Sequence, residues 1–464
     1  MNLAQKEETP RRVVFVAARA TGEGLRCAEA VGKLGGVRLL GVCERAGSGA
    51  GIFDELVTVA DAHDAAQLIA AARGLEEKHG PLYQLVTPQE TLLLPVARAN
   101  EALGLRRGMS AETVSRALDK SSLKRTLGRA GIGTARDRLV TSDEDARRFA
   151  AEVGFPIVLK PLSGSGGLAT WCIRGPERLE LALRLMRPSA ESPVLAEDYL
   201  RGEELCVDTI TIADEPRFYS VCCYRPSILE ALEDPAIQWT CVMPRDMSNE
   251  RFRHFIEQGL AAVRALHVGS AMTHMEGFLL EDGEVSFTDA TLRPAGARIG
   301  PMLAHAYDMD PRLAWARAAV DNCFDGPWER RHAVGTIFLR GAGGGSVEGV
   351  VGVEEVKRRV GHMVVEARLP RAGAPASATY TGDGFITLRH AETRAVEDAL
   401  RLIAESVRVT YTRPETPSPL DETPGAQWSE RLGYFDKQLY KPAWDDESNA
   451  EGEMMNAKLK TTGF

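Results

Sequence analysis

The chain has 464 residues, 44% hydrophobic and 26% charged, with a net charge of -9. That length predicts roughly three domains at about 150 residues each, and the apolar content excludes a disordered chain. The acidic balance argues against a nucleic-acid partner, because phosphate-backbone binders present clustered excess Lys and Arg.

The N-terminus, Met1 to Glu8, lacks an apolar signal region, and no apolar run approaches the roughly 18 residues of a membrane span, so a cytoplasmic protein is expected. Arg12 to Ala18 reads as a buried strand, Glu23 to Lys33 as a helix and Val37 to Cys43 as a second strand, a βαβ opening. Thr21-Gly-Glu-Gly24 stands where a nucleotide-binding turn would, but the full Gly-x-Gly-x-x-Gly is absent and a plain α/β domain accounts for it. Tyr83 to Glu90 reads as a later strand, with Thr87 to Glu90 bordering the active cleft.

Residues 134 to 200 fit a small α/β lid. Within it a short apolar strand ends on Lys160, and Pro161-Leu-Ser163-Gly164-Ser165-Gly166-Gly167 follows. Lysine is a point charge, and glycines let several N–H groups turn toward one anion, which suits a phosphate-covering flap. A Gly-Ser surface loop is the alternative, and no Gly-Lys-Ser/Thr closes a Walker loop. Next come an apolar strand from Val194, a hinge at Glu197, Tyr199 and Leu200, and a β-rich run from Glu204. Such a hinge can meet an adenine edge with backbone groups while Glu204 accepts from ribose hydroxyls.

The segment from Gly202 to about Asn322 is expected to form a floor, with Pro226 to Met247, including Trp239, as the candidate for substrate selection. Gly283 between two apolar runs marks a hairpin, which brings Glu276 and Asp289 onto neighbouring strands facing one point. Two carboxylates at one point suit Mg2+, and Arg293 can grip a phosphate oxygen by paired hydrogen bonds. An ordinary hairpin with two solvated acids is the alternative. His274 alternates onto the face of Glu276 and is expected to orient it, whereas Arg298 either joins Arg293 or pairs with an acid. Cys241 and His254 form no nucleophile–base pair, and the eight scattered cysteines read as reduced core thiols. From about Trp328 the pattern restarts: strands at Ala333 to Leu339, Gly349 to Val353 and Ala378 to Ile386, a hairpin turn at Gly343 to Ser346, and an amphipathic helix from Thr393 to Val407. The Pro-punctuated tail has no sustained periodicity.

The order lysine, flap, hinge, acid, acid, arginine resembles the ATP-grasp superfamily over residues 110 to 410. It looks most like the carboxylate–amine ligases, the bacterial L-amino-acid (dipeptide) ligases being nearest. The resemblance implies an α/β (α+β) protein with the ATP-grasp fold: a Rossmann-like domain at 1–110, an ATP-grasp domain at 111–325 with its lid at about 134–200, a β-rich C-terminal subdomain at 326–411 and a tail at 412–464. By that resemblance Lys120 and Lys160 match the phosphate lysines, Ser163 to Gly167 the flap, Glu197, Tyr199 and Leu200 the adenine hinge, and Glu204 the ribose acid. Glu276 and Asp289 match the metal pair, and Arg293 with Gly296 the Arg-x-x-Gly element that receives an acyl phosphate. Asp289 stands where Glu is commoner and Thr291 where Asn is often a further ligand, so a second ion is expected to be held more weakly. The implied activity is amide formation from a small-molecule carboxylate and amine. ATP and two Mg2+ ions serve it, Mn2+ being able to substitute, in a protein that binds neither nucleic acid nor membrane and is compatible with a homodimer. A carboxylase component or purine-pathway ligase, or a catalytically silent nucleotide-binding module, are the alternatives.

Overall fold

The computed structural model describes residues 10–162, 170–377 and 379–413, so the flap Ser163 to Gly167 and the tail lie outside the described residues. The first layer is a parallel sheet of β1 (Arg11–Arg19), β2 (Val37–Arg45), β3 (Glu55–Thr58) and β4 (Leu82–Val86) in the order β3-β2-β1-β4. A parallel strand covered on both faces reads as an unbroken apolar run. Accordingly Val13, Phe15 and Ala17 pack with Cys27 and Trp315, while Val14 and Val16 pack with Leu68 and Leu92. The strand predicted to reach Glu90 stops at Val86, because Gln89 and Glu90 open the helix Glu90–Ala102. An acid in the first turn is favoured by the helix dipole.

The second layer is an antiparallel sheet of β5 (Asp137–Val140), β6 (Ile157–Pro161), β7 (Trp171–Ile173) and β8 (Val194–Asp198), in the order β5-β8-β6-β7. Helices Asp143–Val153 and Pro176–Met186 back it over a core that includes Phe149, Leu159, Trp171 and Leu183.

The floor is a long antiparallel sheet. It comprises β9 (Gly202–Ile212), β10 (Glu215–Arg225), β11 (Trp239–Met243), β12 (Ala271–Leu280), β13 (Val285–Thr291) and β14 (Ala333–Leu339). After β15 (Gly344–Val351) leaves it, β16 (Val364–Arg368) and β17 (Gly384–His390) rejoin, giving the order β13-β12-β9-β10-β11-β14-β17-β16. Strands after Trp328 therefore continue the floor. β15 pairs instead with β18 (Arg408–Arg413). Gly343 to Ser346, expected as a hairpin turn, runs into β15: a Cβ on Gly343 would lie 2.4 Å from the Tyr411 side chain, so the glycines make room for a neighbour. The strand expected from Ala378 starts only at Gly384, the one at Gly349 ends at Val351, and the last helix is Thr393–Ser406.

One close approach ties the lid's entry to the floor. Phe287 N donates to Gly133 O at 2.9 Å, and a Cβ on Gly133 would sit 2.2 Å from Val285 O, a distance only glycine permits. Among the described residues no helix is long and apolar enough to cross a membrane.

Candidate active site

β12 and β13 form the predicted hairpin, with Gly283 at φ +90° in its turn. Their register sets Glu276 directly opposite Asp289 and His274 opposite Thr291. Side chains alternate across a strand, so these four share one face while Met275 and Ala290 enter the core behind it. Asp119 caps the helix Lys120–Arg129 by accepting from Ser122 N at 2.6 Å, which fixes Lys120 in its first turn. Lys120 Nζ lies 2.5 Å from Asp289 Oδ2. Lys160, at the end of β6, pairs with Glu197 on β8 at 2.7 Å, and Lys124 pairs with the other oxygen of Glu197, also at 2.7 Å.

These charges are buried, and their protonation follows from their partners. Burial alone would lower Lys120, but Asp289 outweighs it and the ammonium is held above its usual range. For Glu197, burial is outweighed by Lys160 and Lys124, which hold the carboxylate below its usual range, whereas for Lys160 burial wins and the pKa falls. Glu276 is kept ionised against burial by the His274 ring, whose Nε2 is 3.1 Å from Oε1, and by Tyr224, whose hydroxyl donates to the same oxygen at 3.3 Å. His274 Nδ1 in turn meets Asp208 Oδ1 at 2.9 Å, so the expected orienting contact is present and is itself anchored. Among the described residues no Lys, Arg or His forms an ion pair with Glu204, and Lys160 offsets its burial only weakly. Burial and then the nearby Glu276 push it up to about 8, and its Oε2 accepts from Ile228 N at 2.6 Å.

A cavity of about 120 Å3 opens between lid and floor. Lys120, Lys160, Glu197, Tyr199, Leu200 and Glu204 line it together with Glu276 and Asp289, so these predicted residues converge. Helix Ile228–Glu233 adds apolar wall through Ile228, Leu229 and Leu232. Ser227, Ile228, Leu229 and Leu232 of the Pro226 to Met247 segment therefore line this cavity. Trp239 does not: it is fully buried, stacked on Phe338 at 5.0 Å, with its indole N–H donating to Pro226 O. The two facing carboxylates form a hard-oxygen donor set that fits Mg2+, and the His274 and Tyr224 bonds both fall on Oε1 of Glu276, leaving Oε2 for a cation.

Arg293 and Gly296 are not in the lining of that cavity; they line another, of about 220 Å3. Glu90 takes the Arg293 Nε and Nη2 at 3.0 and 2.8 Å, and Pro88 of the same strand-end segment lines this second cavity, so the segment lies beside Arg293 and Glu90 is a partner that sequence reasoning missed. Arg298 pairs with Glu366 and lies over the ring of Phe385, while it also lines the cavity that Arg293 lines. Lys124, Tyr224 and Asp208 were also missed. Lys124 had a signal, lying four residues from Lys120 on one helix face. Asp208 became visible only once β9 paired with β12 and set it opposite His274.

Residues 119–286 match the family described as carbamoyl-phosphate synthase L chain, ATP binding domain. The chain is similar to an alanine–anticapsin ligase of Bacillus subtilis, 26% identical over 243 residues, covering 49% of this chain and 51% of that protein. It thus spans about half the length of the curated relatives it matches. In structure it is similar to an L-amino acid ligase from Bacillus licheniformis, with TM-score 0.69 and 18% identity over 88% of this chain and all of that one. It is also similar to the biotin carboxylase domain dimer of the Hydrogenobacter thermophilus 2-oxoglutarate carboxylase, solved with MgADP, ADP and bicarbonate, with TM-score 0.61 and 16% identity over 92% of this chain and 95% of that one.

Proposed function

We propose that this chain, which has the ATP-grasp fold, is an ATP-dependent carboxylate–amine ligase that forms an amide or peptide bond, with amino acids among its substrates, through an acyl phosphate. The observation that carries this reading is the convergence of Glu276, Asp289, Lys120 and Lys160 on one cavity between lid and floor. In this reading the adenine lies against Tyr199 and Leu200, Glu204 accepts from the ribose hydroxyls, and Lys120 and Lys160 grip the phosphates; Ser163 to Gly167, outside the described residues, keep the flap role that their composition suggests. When bound at Glu276 and Asp289, Mg2+, as two ions or with Mn2+ in its place, supplies positive charge to the phosphoryl group in transfer.

The substrate carboxylate attacks the γ-phosphorus and ADP leaves. Arg293, its guanidinium fixed by Glu90, then holds the acyl phosphate beside Gly296 while the amine nitrogen bonds to the acyl carbon, the bond from that carbon to the phosphate oxygen breaks, and the amine's proton leaves with the phosphate. Phosphoryl transfer depends on positioning and charge stabilisation, and the cations and acids that converge here suit it. The same reading divides the chain at about residues 110, 325 and 411, with the lid at 134–200, and makes it a cytoplasmic enzyme compatible with a homodimer.

With pairs of amino acids, ATP and Mg2+, the protein is expected to release ADP and inorganic phosphate; AMP and pyrophosphate would overturn the assignment. Asp289→Asn removes a formal charge from the metal pair and is expected to lower turnover about a hundredfold, on the order of 3 kcal/mol, and to raise the Mg2+ requirement. Wild-type rate and Mg2+ dependence in that variant would remove Asp289 from the site.

A further inference from the structure

Beside the carboxylate pair, the floor collects a thiol, a carboxylate and an imidazole on one face. β9 runs antiparallel to β12 with Cys206 opposite Glu276 and Asp208 opposite His274. Side chains alternate along each strand, so all four point to the same side of the sheet. Asp208 uses both of its oxygens within this group: Oδ1 meets His274 Nδ1 at 2.9 Å, and Oδ2 accepts from Cys206 Sγ at 3.7 Å. One donor atom from each of Cys206, Asp208 and His274 lies within 4.8 Å of the others, and all three residues are buried. The phosphoryl and amide steps leave the thiol without a task.

Sulfur, nitrogen and oxygen together select a borderline-soft ion. Mg2+ takes oxygen ligands, whereas Zn2+ accepts thiolate, imidazole and carboxylate in a tetrahedron. Zinc bond lengths of about 2.0 to 2.3 Å place neighbouring donors about 3.3 to 3.6 Å apart, so the Cys206–Asp208 separation already suits the ion and the His274–Asp208 one has to widen only slightly. The other ring nitrogen supplies an independent sign. A zinc-binding histidine characteristically donates its remaining N–H to a carboxylate, which fixes the tautomer and leaves the coordinating nitrogen bare. His274 Nε2 lies 3.1 Å from Glu276 Oε1, so that partner is in place. The second cavity, which Asp208 lines, gives an ion its route to the cluster.

We propose that Cys206, Asp208 and His274 form a binding site for one zinc-class cation, distinct in its donors from the oxygen pair Glu276 and Asp289. On binding, the thiol gives its proton to solvent, Nδ1 of His274 turns a bare lone pair to the ion and the ring proton stays on Nε2. Three protein ligands leave a tetrahedral ion one position for water. Because His274 is shared, an ion here also fixes the imidazole that holds Glu276. The site is defined by its donors and does not depend on the ligase reading.

Co2+ takes zinc sites and reports thiolate ligation by a charge-transfer band in the near ultraviolet, so it is titrated into the chelator-stripped full chain without ATP. The wild type is expected to develop the band up to one equivalent, to lose it when Zn2+ is added and to keep it in a large excess of Mg2+. Loss of a mere outer partner of a zinc ligand costs about tenfold to a hundredfold in affinity. Cys206→Ser should therefore abolish the band and weaken Zn2+ binding, measured by competition with a chromogenic chelator, by at least about a hundredfold. Cys323→Ser is the control, because Cys323 is the half-exposed cysteine, and it should leave both unchanged. No band in the wild type, a band that survives Cys206→Ser or disappears in Cys323→Ser, or displacement by Mg2+ would overturn the proposal. If Cys206→Ser does not fold, zinc X-ray absorption on the Cys323→Ser protein decides: sulfur together with nitrogen or oxygen neighbours is expected, and a shell without sulfur would overturn it.

Discussion

The two neighbouring cavities are both built on charge, yet they balance it differently. Between lid and floor, lysines and carboxylates are interleaved: Glu197 bridges Lys124 and Lys160, and Lys120 sits on Asp289. Nearly all of this is out of water, with side-chain exposures of 5% for Glu197 and 3% for Lys124. In the second cavity arginines predominate, and the Arg312–Glu23 pair that closes it against the first layer is 26% and 35% exposed. A buried, interleaved network loses much when one member is removed, because the survivors cannot reach solvent. A half-exposed pair loses little, because water replaces the partner. The difference teaches that ion pairs of similar length have unequal weight, and that burial decides it.

That contrast can be broken most directly at Glu197. Glu197→Gln leaves Lys124 and Lys160 facing each other without their shared anion and is expected to cost about 3–5 kcal/mol. Guanidinium denaturation of the ligand-free protein measures it. A loss below 1 kcal/mol would mean that the cluster is far better solvated than its burial indicates.

Glu204 gives the intermediate effect, and its sign depends on pH. Its folded pKa, about 8, lies above the ordinary 4.5, so between those values the unfolded chain has released a proton that the folded chain keeps. Folding then takes up a proton, and stability falls as pH rises from about 4.5 through about 8. Glu204→Gln removes that ionisation. It should flatten this part of the stability–pH profile and leave the variant on the order of 1–3 kcal/mol more stable than wild type at pH 8, given that the surroundings of a buried carboxylate relax. The ribose role predicts weaker ATP binding in the same variant. Parallel thermal-unfolding profiles for the two proteins between pH 5 and pH 8 would contradict the raised pKa.

The smallest effect is expected at Glu23. Glu23→Gln weakens the contact to Arg312 across a partly exposed boundary and should cost less than about 1 kcal/mol, falling further in high salt. A larger, salt-independent loss would show that the second cavity is as tightly coupled as the first.

Sequence alone determined those parts of the molecule in which chemistry is local. Gly283 between apolar runs sufficed to pair Glu276 with Asp289, because a hairpin's register follows from its turn and the period of two. Lys160 at a strand end and the early βαβ pattern were legible for the same reason. Runs rich in glycine misled, since Gly343 to Ser346 serves to admit Tyr411 and its role depends on a strand about seventy residues later. Trp239 misled likewise, because an aromatic residue looks the same in a sequence whether a ligand or Phe338 covers it. Only the tertiary structure could bring Glu90 to Arg293, Asp208 to His274 and Arg298 beside Arg368. These partners lie on different elements, and their meeting is fixed by how sheets order their strands and how layers pack, which no local pattern encodes.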